Sequence, residues 1–121
     1  MSIESINAVT LVTTRMDEAV KFYETLGLAV VYGGAGTDFT TFAVGSGFVN
    51  LQRVDGWVAP AAVWGRVIFH VDDVDAVHRR ALEAGLDPAT EPADAPWGER
   101  YFHIQDPDGH ELSFARLLDG R

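Results

Sequence analysis

The chain writes one strand–turn–helix pattern twice. Residues 9–28, VTLVTTRMDEAVKFYETLGL, lie without a gap on residues 67–86, VIFHVDDVDAVHRRALEAGL, at an offset of 58 positions. Val9 falls on Val67, Leu11 on Phe69, Met16 on Val74, Asp17 on Asp75, Gly27 on Gly85 and Leu28 on Leu86. Identities are few, but the apolar phase and the closing Gly-Leu agree, which marks a duplicated structural unit. Each copy supplies one helix, and one helix covers only one face of a sheet. The other face of each sheet therefore needs a partner, and the natural one is the sheet of the other copy.

Taken in order, residues 6–13 are rich in β-branched residues and predict a first strand. Thr14 is placed to cap a helix whose apolar face is Met16, Ala19, Val20, Tyr23 and Leu26. Gly27 stands where a left-handed stop is wanted. Strands follow at 28–32, 39–44 and 48–54, with a hairpin turn at Gly45-Ser46-Gly47. Residues 55–65 hold Gly56, Pro60 and three alanines and break the pattern, so they predict a linker. The second copy starts with a strand at 66–71, and Asp72 or Asp73 caps a helix with Val74, Val77 and Ala81 on its apolar face. A short strand is placed near 89–91, another at 100–105, and a last one at 111–116 after the strong turn Asp106-Pro107-Asp108-Gly109. The expected class is α+β: one domain over 1–121, built from βαβββ modules at 6–54 and 66–116 that enclose a cleft.

Composition narrows the function. There is no cysteine, which removes disulfides and thiolate metal sites. The formal charge is −9, from 18 acidic and 9 basic residues. A nucleic-acid ligand demands a basic face, so that partner is not expected; a cationic ligand is permitted, and acidity also serves solubility. No basic region followed by an apolar run opens MSIESINAVT, and no apolar run approaches the roughly 20 residues of a membrane span. A cytoplasmic protein with no membrane partner is expected. There is no GxSxG, and Gly33-Gly34-Ala35-Gly36 precedes no helix, so it predicts a turn rather than a phosphate cradle.

The paired modules resemble the vicinal oxygen chelate superfamily, which includes glyoxalase I, extradiol dioxygenases, fosfomycin-resistance enzymes and bleomycin-resistance proteins. The resemblance rests on Phe22-Tyr23 with Leu26-Gly27-Leu28, on Phe69-His70-Val71-Asp72-Asp73-Val74, on Trp97-Gly98, and on Asp106-Pro107-Asp108-Gly109 before the last strand. Metal enzymes of this superfamily place His, Glu or Gln ligands on the cleft side of four strands. Here the matching positions hold Ala8, Arg66, Gln52 and Ser113. Alanine cannot bind a metal, arginine repels one, and serine is a poor ligand; Gln52 alone remains plausible. The resemblance therefore implies a metal-free binder of bleomycin-resistance or glyoxalase-like type, and the bleomycin-resistance proteins imply a homodimer.

The alternative is a divalent-metal lyase, isomerase or dioxygenase with zinc, nickel, manganese or iron moved to His70, Gln52 and Glu111. His70 shares strand parity with Arg66, and Glu111 with Ser113. His103 would join such a set only if a bulge intervened: a hairpin symmetric about DPDG pairs it with Leu112 and turns it toward the helix. His78 and His110 are expected to be polar surface. Without a metal, the cleft is a small-molecule site whose expected walls are Thr10, Phe48, Asn50, Gln52, Arg66, Ile68, His70, Phe102, Glu111 and Ser113. Trp57, Trp64, Trp97 and Tyr101 could roof it. Arg66 needs an anionic partner, either Glu111 or a ligand.

Overall fold

The structure is a computed structural model, and it describes residues 1–119. The chain divides into two compact units between Val58 and Ala59. The first holds β1 (Ala8–Thr13), α1 (Met16–Thr25), β2 (Ala29–Tyr32), β3 (Phe39–Val44) and β4 (Gly47–Arg53). The second holds β5 (Arg66–His70), α2 (Val74–Glu83), β6 (Ala93–Ala95), β7 (Glu99–Gln105) and β8 (Glu111–Leu117). Each unit is βαβββ and forms its own four-stranded mixed sheet, ordered β1-β4-β3-β2 and β5-β8-β7-β6. In both, the strand before the helix pairs in parallel with the last strand, and the remaining pairs are antiparallel.

The repeat holds to the residue in the helices, since α1 moved by 58 positions falls on α2 at both ends. Both helices close in the same way. Leu28 N–H bonds the Tyr23 carbonyl and Gly27 N–H that of Glu24; Leu86 N–H bonds the Ala81 carbonyl and Gly85 N–H that of Leu82. This paired capping of the last carbonyls needs a left-handed residue, and Gly27 and Gly85 supply φ of 108° and 79°. The starts differ. Asp73, one of the two expected caps, accepts from Ala76 N–H at 3.0 Å. Helix α1 begins after Arg15, whose own side chain makes no cap bond, and Thr13 Oγ1 accepts from Arg15 N–H at 3.1 Å.

Each helix seals one face of its sheet. In the first unit Leu11, Tyr23, Phe42 and Leu51 are fully enclosed, and the rings of Tyr23 and Phe42 meet at 5.6 Å. In the second, Phe114 stacks between Phe69 and Phe102 at 5.2 and 5.5 Å. Burying each such ring stabilises the fold by roughly 1.5–3 kcal/mol. Gly33 marks a close approach, because a Cβ there would meet the Phe39 carbonyl oxygen at 2.1 Å. The short strand expected near 89–91 lies instead at Ala93–Ala95, with Ala89 N–H bonded to the His103 carbonyl. Three prolines in this stretch remove ladder donors and push the pairing toward its end. No helix among the described residues is long and apolar enough to cross a membrane.

Candidate ligand site on the open face of the second sheet

The site follows from the register of β7 against β8. The turn between them is one residue longer than DPDG alone. Asp106 N–H bonds the His110 carbonyl, Gly109 N–H returns to the Asp106 carbonyl, and Gly109 has φ of 89°. An Asp106 carboxylate oxygen accepts from the N–H groups of Asp108 and His110, both at 2.9 Å. A three-residue loop closed by a left-handed glycine is a standard hairpin solution. It pairs Gln105 with Glu111 and His103 with Ser113. The symmetric pairing of His103 with Leu112 is therefore incorrect, and so is the helix-side placement of His103 that followed from it. Phe102 is corrected by the same shift. It is fully buried, packed on Phe114 and edge-on to His78 at 5.1 Å, beneath α2 rather than on the open face.

Alternation along the strands then puts Glu99, Tyr101 and His103 on the open face. There they join Arg66 and Ile68 of β5, Ser113 of β8 and Trp97 of the preceding turn around a cavity of about 240 Å³. Trp97 stacks on Tyr101 with centroids 5.9 Å apart and planes at 21°, and its indole N–H donates to Glu99 Oε1 at 3.2 Å. Tyr101 in turn meets the His103 ring at 5.0 Å. His103 Nδ1 lies 2.6 Å from Ser113 Oγ. Arg66 Nε donates to Glu111 Oε2, so the arginine finds its anionic partner within its own sheet. Glu111 stands behind Arg66, and its carboxylate is mostly covered.

The remaining expected residues separate into groups. His70 shares the Arg66 face by alternation but sits at the strand end, where Nε2 accepts from Leu117 N–H at 3.3 Å. Thr10, Asn50 and Thr41 form a hydrogen-bonded row across the first sheet, with Thr41 Oγ1 to Asn50 Oδ1 at 2.7 Å and Asn50 Nδ2 to Thr10 Oγ1 at 3.2 Å. Phe48 and Gln52 lie on the same face of β4 as Asn50. His78 and His110 are not simple surface groups: His110 is buried and accepts the Trp64 indole N–H at 2.9 Å, while His78 is half-buried against Phe102. Glu99 was missed in the sequence, although its parity with Tyr101 would have found it once β7 was begun one residue earlier.

Behind this face, Arg100 ties helix to sheet. Its guanidinium meets both oxygens of Asp75, on the first turn of α2, at 2.9 and 2.8 Å, and Asp94 of β6 at 2.9 Å. These bonds hold the Asp75 carboxyl below its usual range, chiefly through the hydrogen bonds from Arg100, and raise the Arg100 guanidinium. In the first unit, Arg53 does the same to Asp55.

Residues 5–114 match the Glyoxalase/Bleomycin resistance protein/Dioxygenase superfamily, and the chain belongs to that family. Among curated proteins it is similar to the anthracycline biosynthesis protein DnrV of Streptomyces peucetius, at 36% identity over 118 residues. That match takes in 96% of this chain but 42% of the relative, so the chain spans less than half of that protein's length. An uncharacterised Mycobacterium tuberculosis protein, Rv0887c, shares 46% identity over 46 residues, which is 38% of this chain and 27% of that protein. Among solved structures, TioX from Micromonospora sp. ML1 superposes with a TM-score of 0.75 at 28% identity, over 95% of this chain and all of that one. A lactoylglutathione lyase from Agrobacterium tumefaciens reaches 0.75 at 21% identity over 96% of each chain, which shows the fold.

The family's metal does not fit the donors present. At two of the positions where the resemblance implies ligands stand Arg66 and Ser113, the first a permanent cation and the second engaged with His103. Of the alternative set, Glu111 is held by Arg66 and His70 by the Leu117 amide. Among the described residues no three His, Asp or Glu side chains gather in a metal-holding group.

Proposed function

We propose that this chain is a small-molecule binding protein that holds its ligand without a metal on the open face of the second sheet, with an aromatic part of the ligand against Trp97 and Tyr101. The observation that carries this reading is the cavity bounded by two stacked aromatic rings on one side and by Arg66, Ile68, His103 and Ser113 elsewhere. Apolar and aromatic walls with a few convergent polar groups are the usual make-up of a small-ligand site. Its volume is below the roughly 300 Å³ at which drug-sized sites begin, so it suits one or two fused rings or the end of a longer molecule. The relative named for anthracycline biosynthesis supports a polycyclic aromatic ligand, since anthracyclines are fused-ring compounds. A homodimer, as the family resemblance implies, belongs to the same reading, and light scattering on the purified protein tests it.

Tryptophan fluorescence titrated with fused-ring aromatics tests the site. Saturable quenching is expected, weakened at least tenfold by Trp97→Ala. An unresponsive protein across naphthalene-, anthracene- and anthraquinone-based probes would remove this function. Stoichiometric metal in protein purified without chelator would remove its metal-free part.

A further inference from the structure

Two polar side chains on the site share one arrangement. His103 is held through Nδ1 by Ser113, and its Nε2 has no partner among the described residues. Arg66 is held through Nε by Glu111, and its two terminal nitrogens have no partner among the described residues. Both anchors, Glu111 and Ser113, come from β8 and lie two residues apart on one face. The register sets the spacing: Ile68, Ser113 and His103 form one row across three strands, and Arg66, Glu111 and Gln105 form the adjacent row. Arg66 and His103 thus stand diagonally, two strands and one row apart, roughly 12 Å between backbones at the usual strand and residue spacings, and both line the cavity.

A base whose inner nitrogen is oriented by a neighbour, opposite a cation oriented in the same manner, is the layout of acid–base chemistry at a carbonyl. We propose that the site catalyses proton transfer at a carbon beside the carbonyl of a fused-ring aromatic ketone, with His103 as the base and Arg66 as the group that receives the oxygen's charge. The inference rests on the ligand reading above, because Trp97 and Tyr101 supply the aromatic wall. In the reactive tautomer, Nδ1–H donates to Ser113 Oγ and leaves the lone pair on Nε2. That lone pair takes the proton from the C–H bond. The C–H electrons form the C=C bond, and the carbonyl π pair moves onto oxygen as an enolate, which accepts hydrogen bonds from the Arg66 terminal N–H groups. Return of a proton from Nε2 restores the ketone, so the net reaction is exchange with solvent or migration of the double bond, with no redox partner. Charge arises on the ligand only during the step. This suits a cavity whose lining carries Arg66 and Glu99 with Glu111 behind them, and which would not favour a permanent anion.

The test uses 2-tetralone, a two-ring ketone, with the whole protein in deuterium oxide. Proton NMR follows loss of the signal beside the carbonyl, and tryptophan quenching follows binding in parallel. General acid–base catalysis contributes about 10²–10⁴ in rate, so His103→Gln and His103→Asn are each expected to lose at least about 100-fold of the exchange above buffer while quenching persists. Arg66→Gln is expected to lose a similar factor, and 2-naphthol, the flat analogue of the enol, to bind more tightly than 2-tetralone. Circular dichroism confirms that each variant is folded, and the two His103 variants guard against failure of one. Binding of 2-tetralone without exchange above buffer would overturn the inference and leave the binding reading intact. Exchange that survives in folded His103 variants would overturn it as well. Failure of 2-tetralone to quench, alongside other aromatics that do, overturns this substrate class alone; silence from every aromatic removes both readings.

Discussion

His103 faces Ser113 across the β7–β8 pair, with 2.6 Å between Nδ1 and Oγ. That contact exists because the turn before β8 contains one residue more than the DPDG motif suggests. A hairpin has period two, so one residue moves every side chain of a strand to the opposite face. The turn thus decides that Tyr101 and His103 line the cavity while Phe102 and Ile104 enter the core.

Asp106 is the side chain that holds this turn. It is 5% exposed, and one carboxylate oxygen accepts two backbone N–H groups. Asp106→Ala leaves those donors without their acceptor and should destabilise the protein by about 1–3 kcal/mol, read from urea unfolding. Asp106→Asn keeps an acceptor oxygen and should recover most of the loss. Equal stability of the alanine variant and the native protein would show that the turn holds without this side chain.

Core and site should separate cleanly in β7 and its neighbour. Phe102→Ala empties a fully enclosed ring position between α2 and the sheet, which costs about 3–5 kcal/mol. Trp97 is 68% exposed, so Trp97→Ala should change stability by no more than about 0.5 kcal/mol while weakening the ligand. Chemical unfolding of both variants checks this; a large stability loss in Trp97→Ala would recast that ring as a structural plug.

The Asp75–Arg100 pair should appear in the acid limb of stability. Arg100 hydrogen bonds depress the Asp75 carboxyl in the folded chain. Folding therefore favours the ionised form. The contribution is complete above the ordinary aspartate value of about 3.9 and is lost as pH falls through the lower native value. Native protein and Asp75→Asn should differ in Tm at neutral pH, and the difference should narrow as the pH is lowered past the ordinary aspartate value and through the depressed native one. A Tm difference that does not narrow anywhere in the acid limb would mean that the ionised pair is not what stabilises the native chain.

Much of the architecture was legible because it rests on local rules. The offset repeat, the Gly27 and Gly85 stops, the helical spacing of Met16, Ala19, Val20 and Tyr23, and the run from Arg66 to the Asp73 cap each depend on a few adjacent residues. The partnering of Arg66 was also foreseeable, since Glu111 was one of two possible anions for a cation on that strand face.

By itself, the sequence determined two βαβββ units, their helical stops and the absence of good metal ligands at Ala8, Arg66 and Ser113. Tertiary structure alone decided which residues of β7 line the cavity. Side-chain direction in a strand depends on pairing register, and here the register follows from a buried carboxylate gathering two distant-looking amides into a five-residue corner. That is a contact between groups, and no residue type or spacing encodes it until the chain has closed.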